Sequence, residues 1–310
     1  MQKDINGIIV INKQKDWTSH DCVAVMRRLV SVKRIGHTGT LDPMAEGVLP
    51  ICIGTSTRIM EYLDLDFKTY LCTMKLGITT DTQDIWGNVL VQKDTSNIKK
   101  EDIVKVCSTF VGEITQVPPK YSALKVNGKK LYEYARAGQD VEIKSRKITI
   151  KNLDIKEING DEIVFEVTCS KGTYVRTICQ DIGEALGVGG TMSGLTRTAS
   201  GVFNIQNSIT IDELRQKTRE EILEMLLPTD YPLVNFGVLK LNYEAAKDFV
   251  NGKKMNTIKR TSEITKTSNS LYNEMYKIYF NDDFLGIARI ENNILIADKV
   301  FNVRIQNENI

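Results

Sequence analysis

The chain has 310 residues, of which 42% are hydrophobic and 26% are charged, and its net charge is +2. This composition is typical of a globular protein, and the length predicts one large domain accompanied by a small one. No apolar run approaches the roughly 18 residues of a membrane span, and the first residues lack the apolar stretch of a secretory signal, so we expect a cytoplasmic protein.

The first half of the chain predicts two strands and a helix. The run GIIVIN (7–12) predicts a short buried strand. The segment TSHDCVAVMRRLV (18–30) begins with polar capping residues and continues with helical spacing of its apolar residues. The run YLCTMKL (70–76) alternates apolar and polar side chains, which predicts a half-buried strand.

A second strand and helix are predicted further along the chain. The run IVFEVTCS (163–170) alternates like a strand, and TYVRTICQDIGEALG (173–187) then changes to helical spacing and ends on Gly187, a typical cap. The irregular order of strands and helices favours a mixed α/β or α+β sheet over regular βαβ winding.

The segment LLPTDYPLVNF (226–236), which contains two prolines, predicts a linker. Beyond it, YEAAKDFVNG (243–252) predicts a helix, and MYKIYF, LGIARI and ILIADKVF predict short strands. We therefore expect two domains, at 1–235 and 236–310, of which the second is small and β-rich.

The cysteines and histidines do not favour metal chemistry. The six cysteines are scattered without a CxxC pair, and His20 and His37 are the only histidines. A zinc site needs clustered ligands of these types. We therefore expect reduced cysteines that pack as small apolar residues, and no metal site.

Residues 117–151 form a basic segment. They contain nine Lys or Arg residues against three acidic ones, on a chain whose net charge is +2. A solvated charged surface is the common explanation of such a run, but Tyr121, Tyr132 and Tyr134 lie within it and could stack on bases. The segment therefore favours a polyanion as partner.

The loop GHTGTLDPMAEGVLP (36–50) holds Asp42 between glycines and a proline. It lacks the GxSxG of a serine hydrolase and the lysine of a phosphate-binding loop. A two-carboxylate glycosidase would need a second acid, and Glu46 is the only neighbour. A carboxylate can also act alone as a nucleophile, although on the residues alone a simple turn is the commoner role.

Five segments, in chain order, resemble the motifs of the TruB-type family of tRNA pseudouridine synthases. They are GHTGTLDPMAEGVLPICIGTSTR (36–58), KTYLCTMKLGITTDTQDIWG (68–87), QVPPKYSALKVNGKKLYEYARAG (116–138), CSKGTYVRTICQDIGEALG (169–187) and LTRTASG (195–201). The resemblance covers nearly all of residues 1–235. It implies an α+β fold, with a mainly antiparallel sheet flanked by helices and a small PUA-like C-terminal domain.

The resemblance implies that the protein isomerises a uridine in the T loop of tRNA, at tRNA position 55, without metal or cofactor. Asp42 would be the nucleophile, and attack on the base and attack on the ribose both remain open. Arg176 would pair with Asp42, and the substrate would contact the other family positions, with His37 filling the space that the flipped nucleotide leaves. These positions are His37, Tyr70, Asp84, Tyr174 and Leu195. Tyr70 would stack on the base and assist proton removal, and Asp84 would contact the base edge.

The partner implied is the T-arm of tRNA, gripped by the basic segment, with no membrane, no obligate protein partner and a monomeric enzyme. The family's N-terminal KPxGxTS turn is altered here, where Gln14 and Asp16 replace its proline and glycine.

Three alternatives remain open on the sequence. A guide-RNA-directed relative could carry the same catalytic motif, and a non-catalytic RNA-binding protein could retain the scaffold. A metal-dependent nuclease could use the scattered acids Asp42, Asp64, Asp66, Asp81 and Asp84.

Overall fold

The structure is a computed structural model that describes residues 5–63, 67–256, 261–265 and 275–301. None of the helices in these ranges is long and apolar enough to cross a membrane. All six cysteines are buried and unpaired, as the sequence predicts.

The first part of the chain forms one large sheet, two small hairpins and the surrounding helices. Its strands are β1 (Gly7–Lys13), β2 (Ile35–His37), β3 (Glu46–Ile53), β4 (Lys68–Leu76), β5 (Ile78–Thr80), β6 (Val89–Gln92), β7 (Gly112–Gln116), β8 (Lys125–Val126), β9 (Lys129–Lys130), β10 (Arg146–Asn159), β11 (Glu162–Cys169), β12 (Gly190–Ser200), β13 (Phe203–Asn204) and β14 (Ile209–Thr210). Its α-helices are α1 (Ser19–Val30), α2 (Lys100–Ser108), α3 (Leu131–Arg136), α4 (Val175–Ala185), α5 (Ile211–Arg215) and α6 (Arg219–Glu224), with 3₁₀ helices at Gly54–Leu63 and Ile205–Asn207.

The large sheet has the strand order β14-β1-β3-β12-β4-β11-β10-β7, with β2 beside β3 and β13 beside β12. Only β1 with β14 and β3 with β12 pair in parallel. The other neighbours are antiparallel. The predicted mixed, mainly antiparallel sheet is therefore confirmed, as are the predicted strands and helices of this part.

Strand β1 is apolar on both sides because both of its faces are buried. Ile9 and Ile11 belong to the core that packs against α1 and α4. Ile8 and Val10 alternate with them and join a second core on the opposite face of the sheet. The continuous apolar run seen in the sequence follows from this double burial.

The described residues of the second part form a smaller sheet and one helix. Its elements are β15 (Gly237–Leu241), α7 (Tyr243–Val250), β16 (Met255–Asn256), β17 (Thr261–Thr265), β18 (Met275–Phe280), β19 (Asp283–Glu291) and β20 (Ile294–Val300). The strand order is β16-β20-β19-β18-β15-β17. The β-rich character predicted for this part is confirmed.

The predicted linker is not a free tether. Leu227 pairs with Ile8 of β1, and Leu233 and Phe236 are buried in the second core together with Phe301 from the end of β20. Apolar side chains at these positions fix the segment against both sheets. We call this cluster of residues from both parts the shared core.

One part of the basic segment forms a hairpin and a short helix, and the other part belongs to the large sheet. The segment contains the hairpin β8–β9 and the short helix α3, but its last residues, from Arg146 onward, already belong to β10 and pair with β7. The projecting part is therefore shorter than the 117–151 run of charges.

Candidate active site

Asp42 lies in the loop between β2 and β3, and two buried polar side chains hold this loop. Lys13 is fully buried and its ammonium donates to the carbonyl of Pro43 at 3.1 Å, as well as to two carbonyls nearby. Ser19, at the start of α1, accepts from the backbone N–H of Leu41 at 2.9 Å. Burial lowers the pKa of the Lys13 ammonium. The residues on both sides of Asp42 are thus fixed to β1 and α1.

Arg176 forms an ion pair with Asp42. It is the second residue of α4, and its Nη2 lies 3.0 Å from Oδ2 of Asp42. Its Nη1 lies 3.5 Å from Oδ2 of Asp84, and the two nitrogens also donate to the carbonyls of Thr82 and Tyr121. A guanidinium held by this many acceptors has a defined position, and its planar shape suits a carboxylate.

The start of α4 is fixed by Gln116 and Arg146, two residues for which the sequence predicts no role at the site of Asp42. The backbone N–H of Tyr174 donates to Gln116 Oε1 at 2.8 Å, and Gln116 Nε2 donates back to the Tyr174 carbonyl at 3.1 Å. Arg146 stacks on the Tyr174 ring, with 4.9 Å between its guanidinium carbon and the ring centroid, and donates to the Gly172 carbonyl. Only the position of Gln116 in a motif could have indicated this clamp.

Tyr70 and Leu195 extend from neighbouring strands, β4 and β12. Opposite Tyr70 in the β12 register lies Arg197, which is 1% exposed. Arg197 donates from Nε to the Val48 carbonyl at 2.7 Å and from Nη2 to the Gly39 carbonyl at 3.1 Å. The burial of Tyr70 raises the pKa of its hydroxyl.

His37 ends β2 and lies edge-on against His20 of α1, with 5.5 Å between the ring centroids. Its Nδ1 is buried without a hydrogen-bond partner. Burial, together with the charges of His20 and Arg197, lowers the pKa of His37 to about 4. The ring is therefore neutral in the folded protein at neutral pH.

These elements surround a cavity of about 280 Å³, near the lower end of the size range of small-ligand sites. The sequence-predicted residues that line it are Asp42, Tyr70, Tyr174, Arg176 and Leu195. Asp84 lies behind Arg176, and His37 precedes Thr38, where the cavity lining begins. Three buried polar atoms without a hydrogen-bond partner, Ser122 Oγ, Thr173 Oγ1 and Arg197 Nη1, belong to residues that line the cavity.

Of the acids considered for a metal-dependent nuclease, the three that the structure describes are not clustered. Asp42 and Asp84 are separated by Arg176, and Asp81 accepts hydrogen bonds from the backbone and side chain of Asn88. Asp64 and Asp66 lie outside the described residues. Within the described ranges, no group of three or more His, Cys, Asp or Glu side chains is arranged to hold a metal ion.

Two family models match the chain. The model of the TruB family pseudouridylate synthase N-terminal domain matches residues 27–175, and that of the tRNA pseudouridylate synthase B C-terminal domain matches residues 176–234. Together they include all the site residues described above except Lys13 and the first residues of α1.

Curated relatives are similar over almost the whole chain. A tRNA pseudouridine synthase B of Clostridioides difficile is 43% identical over 304 residues, which cover 96% of this chain and 100% of that protein. A protein of the same name from Burkholderia pseudomallei is 40% identical and covers 96% of this chain and 98% of its own length.

Solved structures share the fold at lower sequence identity. An H/ACA ribonucleoprotein bound to a substrate RNA contains a chain that is 22% identical, with a TM-score of 0.72 over 96% of this chain and 86% of that one. A chain of an archaeal box H/ACA Nop10–Cbf5 complex is 23% identical, with a TM-score of 0.70, and covers 97% of this chain and 86% of its own length.

Proposed function

The chain belongs to the TruB family of pseudouridylate synthases, and we propose that it isomerises one T-loop uridine of tRNA, with Asp42 as the nucleophile. Membership makes the protein an isomerase of the tRNA pseudouridine synthase type. The observation that supports the nucleophile is the Arg176–Asp42 ion pair at 3.0 Å, at the wall of a cavity.

The reaction requires no atom from outside the nucleotide. The bond between uracil N1 and ribose C1′ breaks, the ring turns, and a bond forms between C5 and C1′. The proton on C5 then leaves, and N1 gains a proton. A carboxylate that forms and later releases a covalent intermediate is sufficient for such a sequence, so the proposal includes neither a metal nor a cofactor.

Arg176 keeps Asp42 ionised and oriented in this proposal. A nucleophilic carboxylate must be deprotonated, and an adjacent guanidinium favours the charged form. For Asp84 the geometry favours a role through Arg176 over the base-edge contact expected from the sequence. Its Oδ2 lies 3.5 Å from Arg176, and its Oδ1 accepts from Thr82 and from the backbone of Trp86.

The target nucleotide must leave its stack to reach Asp42, as enzymes that act on a base generally require. Tyr70 would stack on the uracil and accept a proton, and Tyr174 and Leu195 would line the uracil site. All three residues border the cavity. His37, neutral and next to the cavity, would fill the space left in the T loop.

The rest of the tRNA would lie on the basic segment and on the second sheet. In the hairpin and α3, cations lie over half-buried tyrosine rings, with Lys129 4.6 Å from the ring centre of Tyr134 and Lys130 5.4 Å from that of Tyr132. Such groups suit phosphates and unpaired bases. We assign residues 1–235 to catalysis and 236–310 to a PUA-like RNA-binding unit, in a cytoplasmic monomer that acts without a protein partner.

The solved structures are 22–23% identical and inform on the fold alone, so they do not favour the guide-RNA-directed alternative. The relatives at 40–43% identity are named for tRNA, and they favour a tRNA substrate.

The test is to incubate the purified protein with an unmodified tRNA transcript and to map pseudouridine chemically. We expect one modified uridine, in the T loop, without added metal and without a guide RNA. Modification of another arm, or modification only when a guide RNA is present, would contradict the proposal.

A further inference from the structure

Arg197 is a buried cation with one unsatisfied nitrogen. The residue is 1% exposed, and the carbonyls of Val48 and Gly39 accept from Nε and Nη2. Nη1 is buried without a hydrogen-bond partner. Burying a charge is costly unless it is paired, and an unsatisfied buried donor adds to that cost. A charge retained under these conditions suggests a role beyond holding two carbonyls.

The residue that faces this charge is Tyr70. Arg197 and Tyr70 occupy opposite positions on the antiparallel strands β12 and β4, so their side chains extend from the same face of the sheet. Both side chains border the cavity that holds Asp42. The guanidinium and the phenol therefore share a region from which most water is excluded, where charges interact more strongly than in bulk water.

We propose that Arg197 is a positioning residue that stabilises the ionised form of Tyr70, so that Tyr70 can accept the proton from uracil C5. The inference rests on the proposed function. When the bond between C5 and C1′ has formed, C5 still carries its hydrogen. The C–H electron pair returns to the ring as the proton moves to an oxygen with a free acceptor site and sufficient basicity. A phenolate provides both, and the proton is balanced by the one that N1 gains.

The other charged groups around Tyr70 do not replace Arg197. Burial raises the pKa of Tyr70, and Cys169 of β11 and Asp42 raise it further, whereas Arg197 lowers it. The remaining cations at the cavity are Lys68, Lys171 and Arg176, and Arg176 is paired with Asp42. Of the neighbours that shift the pKa of Tyr70, Arg197 is the cation that favours ionisation.

Two variants separate the charge of Arg197 from its hydrogen bonds. Arg197→Lys keeps the positive charge, and Arg197→Gln keeps a hydrogen-bond donor without the charge. The measurement is the rate of tritium release from tRNA labelled at uridine C5, in single turnovers across a range of pH. We expect Arg197→Gln to shift the rising limb of the profile to higher pH by about one unit or more, and Arg197→Lys to leave the limb near its original position.

A purely structural role would lower the rate in both variants without moving the limb, and this result would overturn the inference. Tyr70→Phe removes the proton acceptor and should abolish tritium release, with or without the Arg197→Gln change. If Arg197→Gln does not fold, citrulline at position 197 provides a neutral side chain of nearly the same shape, and an unmoved limb in that protein is equally decisive. Absence of tritium release from the unchanged enzyme would instead contradict the proposed function itself.

Discussion

Arg176 and Asp42 form an ion pair whose two side chains differ in exposure, with 6% of the arginine and 45% of the aspartate accessible. The buried member is held by backbone carbonyls and a second carboxylate, and the accessible member faces the cavity. The cation is therefore held in a fixed position, and the carboxylate is the member of the pair that is accessible from the cavity.

The first prediction concerns Asp42. Asp42→Asn should lower the rate of pseudouridine formation roughly a thousandfold or more, because an amide is a far weaker nucleophile than a carboxylate. Binding of tRNA should persist, as measured by filter binding. The matched control is Glu46→Gln, because Glu46 is an exposed acid at the start of β3. This variant should remain active. Substantial turnover by Asp42→Asn would exclude Asp42 as the nucleophile.

The second prediction concerns Arg176. Arg176→Lys keeps the charge but loses the fork that spans Asp42 and Asp84, so the nucleophile should be displaced. We expect kcat/KM to fall by about 100-fold, with tRNA affinity nearly unchanged. The control is Arg215→Lys, since Arg215 lies over Trp17 and is half exposed. Equal activity of the two variants would show that the fork is unnecessary.

A third prediction compares two glycines. Gly47 has a φ of +98°, and a Cβ there would lie 2.2 Å from the Arg197 carbonyl oxygen, where β3 meets β12. Gly187 has a φ of +78° with open space around it. In urea unfolding, Gly187→Ala should cost about 1–2 kcal/mol of conformational strain, and Gly47→Ala about 3 kcal/mol or more because the strands must separate. Similar losses of unfolding free energy in the two variants would mean that β3 and β12 can separate at Gly47 at little cost.

The fourth prediction is a pH dependence of stability. The folded pKa of His37 is about 4, lowered from 6.5, so between these values the unfolded chain binds a proton that the folded chain does not. Stability conferred by neutral His37 is therefore complete above pH 6.5 and falls as the pH drops towards 4. Relative to His37→Gln, the protein should lose about 1–2 kcal/mol over this range, given the partial exposure of the ring.

The check is urea unfolding of both proteins at several pH values. His20→Gln is the companion variant, because His20 contributes to the lowered pKa of His37. Its removal should narrow the pH range over which stability is lost. If the free energies of unfolding of the unchanged protein and of His37→Gln differ by the same amount at every pH, the lowered pKa of His37 would be contradicted.

The fifth prediction tests the tRNA surface. Replacing Lys125, Lys129 and Lys130 by Gln should weaken tRNA binding roughly tenfold at low salt and reduce the slope of log K against log salt by about one to three. Lys156→Gln is the control, because its ammonium lies 2.7 Å from Asp154. An unchanged slope in the triple variant would place the phosphate contacts elsewhere.

Much of the sheet could be predicted from the sequence because alternation and helical spacing report directly on burial. β4, β11 and α4 are examples. The site was accessible through motif resemblance, since the spacing of Asp42 and Arg176 along the chain says nothing about their contact. Lys13 and Arg197 could not be recognised as buried, because lysine and arginine are almost always exposed and only the folded chain reveals the carbonyls that hold them.

The segment 226–236 was misleading for a related reason. Its prolines are typical of a linker, but Leu233 and Phe236 are buried, and which surface they cover depends on the distant strands β1 and β20.

The shared core has a consequence for how the two parts of the protein can change. Ile8 and Val10 of the first sheet pack in one cluster with Ile287 of the second sheet and with Phe301, which follows β20. Deleting the second sheet would leave a broad apolar face open to water, where unrelated chains could adhere. The C-terminal unit is therefore not a detachable module. A replacement would have to pack against the Ile8 and Val10 face of the large sheet, and an altered side chain in one part would need a compensating change in the other.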